Sequence, residues 1–217
     1  MKISNKKNIK GMKTANSMAN VSQKWLNGID STTLEIAGIF TNGYNKKLHG
    51  SEIARLLKIP QRTVSRKLDY LCILGALKYS REGKNKLYCL DKSNSIFLQF
   101  ITMTELFKTL KFIKKNILIG QLFNDNLYDS IIFGSYAKGI NKQNSDIDIV
   151  FLHKNNKKIE EFIDKSPIEI HAHYSDFSSL KQKLNDKDSL GMEIRDNHIL
   201  FGNVTEMIKI FSGGQND

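Results

Sequence analysis

The stretch FGSYAKGINKQNSDIDIVF, residues 133–151, concentrates the chemistry of this chain. Gly134 and Ser135 end an apolar run, and Asp146 and Asp148 follow with one residue between them. A strand that feeds a Gly-Ser turn and then opens a helix presents backbone N–H groups and a hydroxyl, which suits phosphate. The segment SDIDIVFL, 145–152, reads as a second strand. Strand side chains alternate in direction, so Asp146 and Asp148 point to one side. Two carboxylates so placed repel unless a cation lies between them, and Mg²⁺ takes such oxygens together with substrate phosphates. The spacing therefore predicts one or two Mg²⁺ at Asp146 and Asp148. Gly134 and Ser135 then cradle the phosphates of a nucleoside triphosphate, with Lys138 and Gly139 at the far end of the turn.

A third carboxylate is expected from a neighbouring strand. SPIEIHAHY, 166–174, alternates after Pro167 and offers Glu169. Glu169 could accept the proton of an attacking hydroxyl or share a second metal. His171 and His173 lie on its face; H-x-H can bind zinc, but without a further ligand they read as surface or hydrogen-bonded histidines. Tyr136 reads as packing. GMEIRDNHILFGN, 191–203, reads as a closing strand or turn.

The pattern G-S-x10-D-x-D with a later acidic strand residue resembles the polymerase-β nucleotidyltransferase superfamily, most closely the minimal nucleotidyltransferases of bacteria and archaea. The match spans about residues 125–205. The resemblance implies transfer of a nucleoside monophosphate, AMP from ATP being the expected case, to an acceptor hydroxyl with release of pyrophosphate. It also offers a protein acceptor of the HEPN toxin type, since minimal nucleotidyltransferases often act as antitoxins. Glu169 stands where aspartate is usual, and Lys138 where arginine is frequent, which loses the guanidinium fork.

The elements before this site have another character. TTLEIAGIFTNG, 32–43, has helical apolar spacing closed by Asn42-Gly43. In HGSEIARLLKIP Ser51 is the expected N-cap and Pro60 the stop. QRTVSRKLDYLCILGAL follows, apolar on one side at Val64, Leu68, Leu71, Cys72 and Gly75, polar and basic on the other at Gln61, Arg62, Thr63, Ser65, Arg66 and Lys67. ALKYSREGKNKLYCLD then alternates around a basic turn, as a hairpin does. Residues 32–91, to within a few positions, resemble the winged helix-turn-helix family. The resemblance implies double-stranded DNA as partner. Gln61, Arg62, Thr63, Ser65 and Arg66 would face base edges and phosphates, and Arg81, Lys84 and Lys86 of the wing would contact phosphates.

Charge agrees with this division. Residues 1–100 hold 18 Lys and Arg against 6 Asp and Glu, an excess of +12, whereas residues 101–217 hold 15 against 16. A basic half beside a neutral half is the footprint of a nucleic-acid module joined to something else. SNSIFLQFITMTELFKTLKFIKKNILIGQLF, 93–123, is too apolar for a solvated linker. It reads as one long helix or two short ones, serving as a rigid joint or as the seam of a homodimer. No apolar run approaches the roughly 20 residues of a membrane span. The basic start lacks the apolar stretch of a secretory signal, and Cys72 and Cys89 read as small buried groups in a reducing cytoplasm.

The expected fold class is α+β. Its parts are a basic tail (1–30), a winged helix-turn-helix (31–92), a helical connector (93–123), and a small mixed-sheet nucleotidyltransferase domain (124–210) with helices mainly on one face. The expected function is DNA-tethered, Mg²⁺-dependent nucleotidyl transfer. The alternative is a transcriptional regulator whose transferase domain is inactive or senses nucleotide.

Overall fold

The computed structural model describes residues 28–123, 128–155 and 157–213. Trp25, expected to anchor the first helix, and most of the basic tail lie outside the described residues. The first described helix, α1 (Ser31–Thr41), starts where the Asp30 side chain accepts from the Thr33 backbone N–H. A short strand β1 (Leu48–His49) leads into α2 (Gly50–Leu57) and α3 (Gln61–Leu74), and the hairpin β2 (Leu77–Glu82) and β3 (Asn85–Leu90) follows. The three strands form an antiparallel sheet in the order β1-β3-β2. This is the winged helix-turn-helix arrangement.

Two local expectations change. α2 begins at Gly50, with His49 rather than Ser51 before it, because β1 pairs with β3 up to His49 and releases the chain there. It ends at Lys58 in a left-handed conformation, and Pro60 opens α3 instead of stopping α2. The buried face of α3 is Val64, Leu68, Leu71 and Leu74, while Cys72 is half-buried and Gly75 is the left-handed cap.

The connector is α4 (Phe97–Lys115) followed by α5 (Ile117–Leu122). Its buried stripe is Phe97, Phe100, Ile101, Thr104, Glu105, Thr109 and Phe112, a 3.6-residue repeat that carries three polar side chains inward. Leu106, Leu110, Ile117 and Leu118 are largely exposed in the single chain.

The second sheet has the order β6-β5-β4-β7, from β4 (Ser130–Phe133), β5 (Ile147–Phe151), β6 (Ile170–Tyr174) and β7 (Ile199–Phe201). β5 and β6 are parallel and the other pairs antiparallel, so the sheet is mixed as expected. Between the strands run α6 (Gly134–Lys138), α7 (Lys157–Asp164), α8 (Phe177–Asn185) and α9 (Ser189–Asp196), and α10 (Val204–Phe211) closes the fold. The expected closing strand over 191–203 is thus helix as far as Asp196 and strand only from Ile199.

Helices cover both faces of this sheet, not mainly one. Ile131, Val150 and Leu200 share a core with Leu180 of α8, Ile194 of α9 and Met207 of α10. Ile132, Ile149 and Phe201 pack on Ile119 of α5, Phe162 of α7 and Phe123. The register explains the split, since Ile131 lies opposite Val150 and Leu200 while Ile132 lies opposite Ile149 and Ile199. The first core continues without a break into Ile36, Phe40 and Leu68 of the winged helix. α4 is the shared wall, and its Thr109 hydroxyl donates to the Leu200 carbonyl of β7 at 2.9 Å.

Candidate functional site

The two aspartates stand at the entrance of β5. Asp148 lies opposite Phe133 on β4 and His171 on β6, and Asp146 immediately precedes the strand. Gly134 has φ 66°, and a Cβ there would collide with the Asp148 carboxylate. Glycine is therefore what lets the turn and the carboxylate touch. Asp148 is the more buried of the pair, 27% exposed against 43% for Asp146. Burial, then repulsion from Asp146, pushes the Asp148 carboxyl above the usual carboxylate range, with Glu193 adding to the push. Ser135 is half-buried, Lys138 and Gly139 are exposed, and Tyr136 is buried with its hydroxyl 3.3 Å from the Ser145 carbonyl.

The third carboxylate stands at the start of the neighbouring strand. Glu169 sits just before β6, where its carbonyl accepts from the Ile147 N–H at 2.9 Å. That puts its backbone level with Asp146, and its side chain is exposed. His171 faces the pair, with Nδ1 2.9 Å from an Asp146 oxygen and 3.7 Å from an Asp148 oxygen. Among the described residues no three His, Cys, Asp or Glu side chains are arranged to hold a metal ion. The two aspartates nonetheless fit a hard cation by their chemistry: both are carboxylates, they share one edge, and their mutual repulsion rises as they ionise. His173 lies beside Phe133, with ring centroids 5.5 Å apart and planes tilted by 59°.

Two residues near the site carried no sequence signal. Glu193 on α9 holds the Lys138 ammonium at 2.6 Å. His198, just before β7, belongs to a buried polar cluster with Tyr44, Glu105 and Lys108. The Tyr44 hydroxyl donates to Glu105 Oε1 at 3.0 Å, and the Lys108 ammonium lies 3.0 Å from Oε2. Lys108 also donates to the Thr41 hydroxyl and the Asn42 side-chain oxygen. Burial pushes the Glu105 carboxyl up, but the Lys108 ammonium and His198 more than offset this and hold it well below the usual range. Burial, reinforced by Lys108, pushes the His198 imidazole down. The ring is therefore neutral at pH 7. Its Nδ1 faces the Ile194 and Arg195 carbonyls, and its Nε2 lies 3.2 Å from Glu105 Oε1 and 3.4 Å from the Lys108 ammonium. The cluster joins the winged helix, the connector and the end of α9. Glu105 had one faint mark in the sequence, a charge on the apolar stripe four residues after Ile101.

On the first half, Gln61, Arg62, Ser65 and Arg66 are exposed on the free side of α3, with Thr63 half-buried. Arg81 and Lys84 are exposed on the hairpin. Lys86 differs: it pairs with Asp69 at 2.7 Å and lies over the Tyr79 ring, so its charge is already committed within the fold. Lys67 is likewise taken up by Asp30 at 2.6 Å, which holds the Asp30 carboxyl at about 2. Cys72 and Cys89 are free, half-buried thiols, and burial pushes Cys72 up to about 11. Among the described residues no helix is long and apolar enough to cross a membrane.

Comparison with known proteins divides the chain. A family model described as nucleotidyltransferase domain matches residues 108–199, a range that contains the Gly-Ser turn, both aspartates, Glu169 and Glu193. No curated protein matches the chain. Among solved structures, reduced HlyU from Vibrio cholerae N16961 is 21% identical, covers 46% of this chain and 95% of its own, and has a TM-score of 0.32. The transcriptional repressor BigR from Xylella fastidiosa is 18% identical, covers 44% and 92%, and has a TM-score of 0.33. What the chain is similar to over its second half is thus a nucleotidyltransferase domain.

Proposed function

We propose that this chain is a DNA-binding, Mg²⁺-dependent nucleotidyltransferase. The observation that carries the reading is the contact of Asp148 with the Gly134 turn, Asp146 beside it, within the stretch matched as a nucleotidyltransferase domain. In this reading Asp146 and Asp148 hold the ion, and Gly134, Ser135, Lys138 and Gly139 hold the triphosphate. The ion, when bound, neutralises the charge that develops on the departing pyrophosphate. The acceptor hydroxyl oxygen forms a bond to the α-phosphorus as the bond from that phosphorus to the pyrophosphate oxygen breaks. The hydroxyl proton passes to a base at the same edge, for which Glu169, level with Asp146 on the neighbouring strand, is the proposed group. ATP is the proposed donor, and a partner protein of the toxin type one proposed acceptor. The winged helix would tether the enzyme to duplex DNA through Gln61, Arg62, Thr63, Ser65, Arg66, Arg81 and Lys84, with Lys86 supporting the wing. Reading of two half-sites would call for a homodimer.

A second reading has its own observation. His171 stands against both aspartates, an arrangement that suits a regulator with a silent or nucleotide-sensing transferase fold. Label transfer separates the two. The purified chain is incubated with Mg²⁺, each α-labelled nucleoside triphosphate and host lysate, beside the Asp146→Asn/Asp148→Asn variant. An acceptor labelled only by the wild type supports the enzyme. No label under any condition, with duplex DNA binding intact, supports the regulator.

A further inference from the structure

The proposed phosphate-binding lysine is not free. Lys138 ends α6, and its ammonium is held at 2.6 Å by Glu193 Oε1. Both side chains are partly exposed, at 35% and 40%. Glu193 stands on a helix anchored at both ends. The Asp188 side chain caps the start of α9 by accepting from the Gly191 N–H at 3.1 Å. Gly191 lies against Lys183 of α8, and Ile194 is buried in the core. At the far end the Ile194 and Arg195 carbonyls face His198 Nδ1. Glu193 is therefore held in place, whereas Lys138 is the last residue of a five-residue helix before Gly139 turns the chain. A triphosphate approaching this turn meets a lysine already neutralised and one carboxylate more than metal binding requires.

We propose that Glu193 is a latch on the phosphate turn: it holds Lys138 until a triphosphate takes the lysine over, and so sets how tightly nucleotide binds. The inference rests on the reading of the Gly134 turn as a triphosphate site and adds a residue that neither the motif nor the family match assigns. An ion pair that must be surrendered on binding lowers affinity, because the lysine exchanges one partner for another instead of gaining one. The retained carboxylate further repels the phosphate. Glu193→Gln keeps the shape, frees the lysine and removes the repulsion. Glu193→Asp keeps the charge.

The test is calorimetric binding of inorganic tripolyphosphate, the part common to all nucleoside triphosphates, to the full chain in Mg²⁺ at low salt. The latch predicts that Glu193→Gln binds about three- to tenfold more tightly than wild type, from an exposed pair and one removed like charge. Glu193→Asp stays near wild type. Lys138→Met weakens binding and abolishes the gain from Glu193→Gln, a non-additivity that a purely structural role of Glu193 would not give. Unchanged or weaker binding by Glu193→Gln, while wild type binds, overturns the latch and leaves the triphosphate site standing. Failure of every variant to bind tripolyphosphate overturns both.

Discussion

Replacing Glu105 with glutamine tests how the two halves are joined. The substitution keeps volume and shape, so its effect is electrostatic. Glu105 is fully buried, and Lys108, its closest counter-charge, is 17% exposed. Removing one partner of a buried ion pair costs about 3–5 kcal/mol, because the other is left charged and unpaired. Lys108 retains the Thr41 hydroxyl, the Asn42 oxygen and a little solvent, and the glutamine oxygen still accepts from Tyr44. The expected loss is therefore below that range, about 2–3 kcal/mol. With a urea slope of about 2–3 kcal/mol per molar, the midpoint falls by about 1 M. Lys108→Met should cost more, since it strands the fully buried carboxylate. The double variant should lose less than the two single losses together, by at least about 1 kcal/mol. Urea unfolding followed by circular dichroism reads all four proteins. A Glu105→Gln midpoint equal to wild type, or strict additivity with Lys108→Met, would refute a charged cluster at the joint.

Three further outcomes follow from the same structure. Acid should destabilise the protein in two steps. The depressed His198 ring makes the unfolded state the better proton binder below its ordinary value of 6.5, and the depressed Glu105 carboxyl does the same below 4.5, so stability falls as pH drops through each. Urea midpoints from pH 8 to pH 4 should show both steps, and Glu105→Gln should lack the lower one. Asp148 has the opposite sign: its raised carboxyl makes the ionised form costly above its ordinary value of 3.8. Asp148→Asn should therefore stabilise the protein at pH 7, by about 0.5 kcal/mol after screening at a partly solvated edge, visible as a small rise in melting temperature. On DNA, each of Arg62→Ala and Arg66→Ala should lower the slope of log affinity against log salt by about one. Lys86→Ala should change that slope less, because Asp69 already neutralises Lys86; fluorescence anisotropy over a salt series separates them.

Much of this protein was legible where its physics is local. The Gly-Ser turn, the same-side placement of Asp146 and Asp148, and the basic face of α3 all follow from strand or helix periods within a dozen residues. The sequence was misleading where burial is decided by distant partners. α4 read as apolar, yet it buries Glu105 and Thr109, because Tyr44, His198 and Leu200 supply partners from both halves. The stretch from Gly191 to Asn203 read as a closing strand or turn, since six helical residues followed by three strand residues give no clear period. Glu193 was invisible because its partner, Lys138, lies 55 positions away. Strand alternation put His171 on the face of Glu169, but no pattern in the sequence gave its 2.9 Å contact with Asp146.

The account rests on Asp146 and Asp148 as the carboxylates that hold the ion with the triphosphate, and that can be tested without knowing the acceptor. Mn²⁺, an oxygen-liganded substitute for Mg²⁺ with a paramagnetic signal, is titrated into the full chain with ATP, and electron paramagnetic resonance counts the ion bound to protein. The account predicts protein-bound Mn²⁺ that depends on the nucleotide and is lost in Asp146→Asn/Asp148→Asn while the fold is retained. Equal binding by wild type and the double variant would contradict it.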